Sequence, residues 1–311
     1  MKDYKPVYFD KFQCIAGRCK HNCCIGWEID IDPLTLKKYR NLSGDLGEKL
    51  RKSITEDDGC AFFAMKENGR CPFLSDCNLC EIIQSIGDEN LCDICREHPR
   101  FYNYFNSKTE WGLGLCCEEA ARTIVSCDIP FSLTEAGNDS QTEKEDDFEN
   151  FILQLRDECI IILENGQVPL SDRLSAVLSM CKAEKSKLSP DKIHSTVSSL
   201  EYLCEESRNE FESLTDFNIN ALIDSQLYSH YFKNIAEYFV YRQLSGAFYD
   251  GNISERAEFV AFSVTVIAAL CKRILLTRGI LSEKDIAEKA REFSAEVEYS
   301  DSNMEFLIDR I

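Results

Sequence analysis

Apolar positions recur along this chain at two periods, and the shorter one comes first. Val7–Gln13 reads as a short strand. Gly26-Trp27-Glu28-Ile29-Asp30-Ile31-Asp32 then sets apolar against acidic side chains with period two, which predicts a half-buried strand with Trp27, Ile29 and Ile31 facing inward. Asp32-Pro33 stops it and opens a helix, because an acidic cap followed by proline at the first helical position is a start signal. Leu34, Tyr39 and Leu42 supply that helix with an apolar side before Ser43-Gly44 ends it. Cys60 to Met65 is a further apolar run, and Asn68-Gly69 after it is a hairpin signal. Another helix is expected from Cys117-Glu118-Glu119 through Ala120–Ser126.

The longer period takes over after residue 148. Phe148, Phe151, Ile152, Leu155, Cys159 and Ile162 recur at helical spacing, Ser189-Pro190-Asp191 opens another helix, and Ser282-x-x-Asp285 has the form of a capping box. The apolar run Phe259 to Cys271, closed by Lys272-Arg273, falls short of the roughly 18 to 20 residues that cross a bilayer and reads as a buried helix. Eight aromatic residues crowd Tyr228 to Tyr249; packing is the expected reason, a substrate pocket the alternative. Between the two regimes, Thr134 to Glu149 is polar and charged and reads as a linker or loop, or as a solvated helix start. The expected fold is α+β and mostly α. A cysteine-rich metal-binding half with short strands and loops spans 1–133, an acidic linker or loop 134–149, and an all-helical half 150–311.

Charge and cysteine content sharpen this picture. A formal net charge of −19 leaves no basic face for phosphates, so no nucleic-acid partner is expected, and no membrane partner either. The first residues, Met1-Lys-Asp-Tyr-Lys-Pro-Val, lack the apolar core of a signal peptide, and a cytoplasmic location is expected. In a reducing compartment 17 cysteines point to metal ligation rather than disulfides. Thirteen of them precede residue 128; Cys159, Cys181, Cys204 and Cys271 sit singly among apolar neighbours, where cysteine acts as a small buried hydrophobe.

Spacing alone leaves two metal readings open. Cys77-x2-Cys80 and Cys92-x2-Cys95 resemble the paired knuckles of a structural zinc site, with fewer residues between them than usual. Cys14, Cys19, Cys23 and Cys24 instead join thiols further along the chain around an iron–sulfur cluster. Each adjacent pair, Cys23-Cys24 and Cys116-Cys117, tends to point one thiol to the site and the other elsewhere.

Taken in order, Cys14-x4-Cys19-x3-Cys23-Cys24-x-Gly26-Trp27, Gly69-x-Cys71-Pro72-Phe73-Leu74, Leu79-Cys80, Gly87, Cys95-x3-Pro99-Arg100 and Leu115-x-Cys117-x-Glu119-x-x-Arg122 resemble the pattern of the flagellin lysine-N-methylase family, which belongs with cysteine-rich domains thought to chelate zinc or iron. The likeness continues through Tyr231 to Tyr249, the helix around Val264 and the Ser282 helix. It implies Cys14, Cys19, Cys23, Cys24, Cys71, Cys80, Cys95 and Cys117 as metal ligands, and leaves Cys60, Cys77, Cys92 and Cys116 outside the set. It also implies N-methylation of lysines on flagellin or another lysine-bearing protein. S-adenosylmethionine would be the donor and a cysteine-ligated iron–sulfur cluster, 4Fe-4S, the cofactor, with zinc the alternative.

No catalytic residue can be assigned from the sequence, and no Rossmann methyltransferase domain is visible. Gly112-Leu-Gly114 lacks a third glycine and reads as packing beside Trp111. Arg100 is the candidate for the donor's carboxylate, or else a loop tie. His98 is a weaker candidate base or ligand, and Glu118 and Glu119 suit either a lysine ammonium or the first turn of a helix. The other reading of the whole chain is a non-catalytic, zinc- or iron-stabilised protein-binding module; an electron carrier would leave the helical half without a purpose.

Overall fold

A computed structural model describes residues 2–26, 28–67, 69–138, 146–184 and 188–310, the last without its side chain. Strand β1 (Lys2–Pro6) is followed by helices α1 (Pro33–Asn41) and α2 (Gly44–Ser53), the hairpin β2 (Ile54–Asp57) and β3 (Cys60–Phe63), and short helices α3 (Glu81–Ile86) and α4 (Asp93–Glu97). Strands β4 (Arg100–Tyr104) and β5 (Lys108–Leu113), helix α5 (Glu118–Val125) and strand β6 (Leu133–Asn138) come next. Helices α6 (Asp147–Glu164), α7 (Leu170–Met180), α8 (Pro190–Val197), α9 (Glu205–Glu212), α10 (Asn220–Ile223), α11 (Ser229–Gln243), α12 (Ala247–Asp250), α13 (Ile253–Arg278), α14 (Glu283–Phe293) and α15 (Asp301–Arg310) complete the chain. The fold is α+β and mostly α, as the two periods predict.

The chain folds as two compact units, Cys14–Arg100 and Met1–Gln13 with Phe101–Ile311. These bounds differ from the division at 134–149, because β1 and β6 take the residues on either side of the cysteine-rich stretch into the larger unit. There β1 lies parallel to β5 and antiparallel to β6, in a sheet of order β4-β5-β1-β6. Of the polar stretch 134–149, the start belongs to β6 and the end to α6; residues 139–145 lie outside the described residues.

The larger unit is built on α13. It runs 26 residues, longer than its apolar run, and is long and apolar enough to cross a bilayer by length and composition. Its stretch from Ala257 to Cys271 is instead almost wholly buried in the core. The aromatic stretch Tyr228–Tyr249 is core as well: Phe232, Tyr238, Phe239 and Tyr241 are fully buried, and Phe239 meets Phe259 of α13 and Phe293 of α14 edge to ring at 5.9 Å each. Packing is thus the role of its centre, while Tyr249 at its end is exposed. Gly112 and Gly114 are packing positions, since a side chain there would overlap the Phe101 ring and the Tyr299 hydroxyl. A π-helical turn, Ser294–Glu298, follows α14 and turns Glu298 inward, where Tyr238 Oη (2.9 Å), Gln243 Nε2 (2.7 Å) and Arg242 Nε (3.2 Å) meet its carboxylate.

The smaller unit has its own core, in which Ile29, Ile31, Tyr39, Leu50, Phe63, Phe73 and Ile82 are buried. Ile29 and Ile31 point inward as the alternation requires, but their segment bonds to β3 only through an isolated bridge, Asp30 to Phe62. Trp27 and Asn68 lie outside the described residues. Two local expectations fail. Val7–Gln13 contains a 3-10 turn at Phe9–Lys11, the strand being Lys2–Pro6, and Leu34 is 76% exposed because the buried face of α1 runs through Thr35 and Tyr39.

Candidate metal centre

In the smaller unit a set of turns brings cysteines from distant parts of the sequence together. The backbone N–H of Cys71 donates to the carbonyl of Cys24 (2.8 Å), and Gly26 N–H donates to Gly69 (2.9 Å), so the first cysteine loop is laid along the second. Residues 71–81 then double back: Ser75 N–H bonds Leu79 (3.0 Å), Glu81 N–H bonds Phe73 (2.8 Å), and the Arg70 guanidinium holds the bend through Ser75 O and Asn78 Oδ1, both at 3.0 Å. Gly17 belongs to this arrangement, since a Cβ there would stand 3.1 Å from the carbonyl of Cys77. Helix α1 fixes the remaining thiols. The Asp32 carboxylate accepts from Thr35 N–H (2.9 Å) at its own helix start and from Asp93 N–H (3.1 Å) at the start of α4, while Tyr39 Oη donates to Asn90 O (2.7 Å). Cys80 and Cys92 sit at the N-caps of α3 and α4.

Six thiols in this unit act on one another electrostatically: Cys23, Cys24, Cys71, Cys80, Cys92 and Cys95. Cys24 and Cys23 share a hydrogen bond that raises Cys24 and lowers Cys23 to about 7; burial and the charges of Cys71 and Cys80 push Cys24 further up. Cys92 and Cys95 share another, which raises Cys95 and lowers Cys92, and Cys24 and Cys71 also raise Cys95. Burial first, and then Cys80 and Cys92, push Cys71 up to about 11. Each thiolate formed here makes the next costlier, so the group as a whole resists ionisation until a cation offsets the repulsion. Among the described residues, no three or more His, Cys, Asp or Glu side chains already converge at ligating geometry. The chemistry of the donors suits a soft cation, since all six are sulfur.

Of the eight cysteines that the resemblance implies, Cys23, Cys24, Cys71, Cys80 and Cys95 fall in this set. Cys92, outside the implied set, joins them, and its signal was the Cys-x2-Cys spacing to Cys95, one helical turn apart. Cys14 Sγ accepts from Ala16 N–H (3.4 Å) and Cys19 donates to His21 O (3.3 Å), both within their own loop. Cys60 is exposed; exposed Cys77 hydrogen-bonds the Ser75 hydroxyl at 3.1 Å. Cys117 belongs to the larger unit, at the N-cap of α5, and its neighbour Cys116 is buried, its thiol pushed up to about 12 chiefly by burial.

Arg100 reaches the carbonyl of Arg96 (3.5 Å), one turn back. Burial pushes His98 down to about 4, so its imidazole is neutral at pH 7. Glu118 and Glu119 occupy the first turn of α5, and Arg122 donates through Nε and Nη2 to the two carboxylate oxygens of Glu119. The four late cysteines divide. Cys271 is buried alone in α13, Cys204 is exposed at the N-cap of α9, and Cys159 and Cys181 stand together, against the expectation that all four are solitary core residues.

No family model matches this chain, and neither does any solved structure. Among curated proteins it is 25% identical over 144 residues to a lysine-N-methylase of Salmonella typhimurium, and equally to one of Salmonella choleraesuis. In each case 42% of the chain is covered, and the match spans 34% of the relative, about a third of its length. Over 135 residues it is also 25% identical to the flagellar biosynthetic protein FliU of Salmonella muenchen, covering 76% of that protein. Both kinds of relative accord with the flagellin lysine-N-methylase family that the cysteine motifs resemble.

Proposed function

We propose that this chain methylates lysine side chains of flagellin or a similar protein, with S-adenosylmethionine as donor, and that the thiols of Cys14–Arg100 hold an iron–sulfur cluster, or zinc in its place. The observation that carries the proposal is the similarity to two proteins named lysine-N-methylase, joined to six thiols, in the unit that holds most of the family-like motif, that are close enough to act on one another electrostatically. Cys24, Cys71, Cys80, Cys92 and Cys95 are the residues best placed to hold the metal, with Cys23 turned partly to solvent. A metal bound there would neutralise the thiolates and tie four separate loops into one body.

Methyl transfer itself asks for little. The lone pair of a neutral ε-amine attacks the sulfonium methyl, the carbon–sulfur bond breaks, and the amine gives up one proton. Alignment and a deprotonated lysine supply most of the rate. The fact that the match spans only a third of its methylase relatives favours one other reading, in which this chain is a metal-stabilised binding module without activity of its own.

Anaerobic purification with iron, sulfide and zinc analysis, followed by incubation with methyl-labelled S-adenosylmethionine and flagellin, tests both parts. About four irons and four sulfides per chain with label on flagellin lysines is the expected result. Stoichiometric zinc with labelling replaces the cluster and keeps the activity; binding of flagellin without labelling supports the module.

A further inference from the structure

Two cysteines of the larger unit pair with each other, and the proposed metal binding and methylation use neither. Cys159 lies on α6 and Cys181 just past the last residue of α7, and their sulfurs are 3.8 Å apart, within thiol–thiol hydrogen-bond distance. We propose that Cys159 and Cys181 form a reversible disulfide under hydroperoxide, a covalent modification site that fastens α6 to the end of α7.

A disulfide needs its sulfurs at about 2.05 Å, so the two side chains, now 3.8 Å apart at sulfur, would have to rotate toward each other. The shared hydrogen bond lowers Cys181, giving it the thiolate character of an attacking sulfur. Both residues are buried. Met180, 37% exposed, stands beside them with its sulfur 3.9 Å from Cys159 Sγ, and exposed Lys182 follows with a positive φ of 57° that ends the helix. A peroxide-sized molecule reaches the pair by displacing the flexible methionine.

The Cys181 thiolate attacks the peroxide, the O–O bond breaks, and a sulfenic acid and one alcohol or water form. Cys159 then attacks the sulfenic sulfur, the S–O bond breaks and water leaves. Overall two thiols and one hydroperoxide give a disulfide, one alcohol and one water, and a dithiol reverses the change.

Trypsin separates the two cysteines cleanly, since residues 157–173 carry only Cys159 and residues 174–182 only Cys181. The full-length protein is treated with equimolar hydrogen peroxide, alkylated, digested and weighed. The expected product is the linked pair 157–173/174–182, lost on treatment with dithiothreitol and reduced at least tenfold when the protein is oxidised in denaturant. In Cys159→Ser, Cys181 should stop at the sulfenic acid and take up dimedone. Recovery of both peptides as free thiols, at a dose that oxidises exposed Cys60, overturns the proposal. So does a yield that is unchanged by unfolding.

Discussion

Lys233 is shared by two carboxylates that respond to it in opposite ways. Its Nζ stands 2.7 Å from Glu164 and 3.1 Å from Glu237. For half-buried Glu164, burial opposes ionisation but the bonds from Lys233 and from Phe131 N–H prevail and hold its carboxyl low. For buried Glu237, burial dominates, Glu164 adds to it, and the carboxyl is raised to about 8. The folded protein therefore holds a proton on Glu237 that the unfolded chain releases near 4.5. Its contribution to stability is full below pH 4.5 and is lost as pH rises toward 8, by at most about 1.4 kcal/mol per unit. Glu237→Gln keeps the protonated shape, so its urea midpoint should fall less between pH 5.5 and 8.5 than that of the unaltered protein. Arg156 and Glu110 are a second buried pair, both near zero exposure, with the guanidinium 5.4 Å from the Tyr241 ring centre. Glu110→Ala leaves the buried guanidinium with exposed Asp157 as its remaining carboxylate (2.8 Å), and should cost about 3 kcal/mol in urea unfolding.

At the scale of elements, what the chain announces locally is what reads correctly. Asp32-Pro33, Ser189-Pro190 and Ser282-x-x-Asp285 each open a helix, and the last forms a complete capping box. Strand β1 could not be read, because Lys-Asp-Tyr-Lys-Pro has no apolar alternation; partners more than a hundred residues away make it a strand. The hairpin β2–β3 turns at Asp58-Gly59, a turn pair in which both residues have positive φ, while Asn68 of the Asn68-Gly69 signal lies outside the described residues. Asp32 does more than its sequence signal shows, since its second oxygen holds α4 as well. Burial raises its carboxyl, but the backbone donors outweigh burial and leave it lowered. Asp32→Ala frees two helix starts for the loss of one side chain, and should cost about 1–2 kcal/mol. Hydrogen exchange should speed up at Thr35 and Asp93 together; an effect confined to Thr35 would mean the link to α4 carries no energy.

Two cores of very different size share the molecule, and the contrast bears on what the thiols do. The larger unit buries a continuous core built around α13 and needs no staple. The smaller one has a short list of buried apolar residues, two of them Cys71 and Cys92, and its loops are tied mainly by backbone bonds; cores of this size commonly depend on a metal or cross-links. Cysteine density in the sequence suggests a soft metal. The grouping could not be read there, because it depends on where Cys24, Cys71 and the α3 and α4 starts come to rest, and Cys92 enters only through that packing. If the proposed metal is present, stripping it with a chelator under anaerobic reducing conditions should remove a tie between those starts that acts beside the Asp32 bonds. Amides of residues 14–100 should then exchange at least tenfold faster, while those of α11 and α13 keep their rates. Cys24→Ser with Cys95→Ser should reproduce the pattern without a chelator. Unchanged exchange across residues 14–100 after chelation would show instead that the smaller core closes without a metal on its thiols.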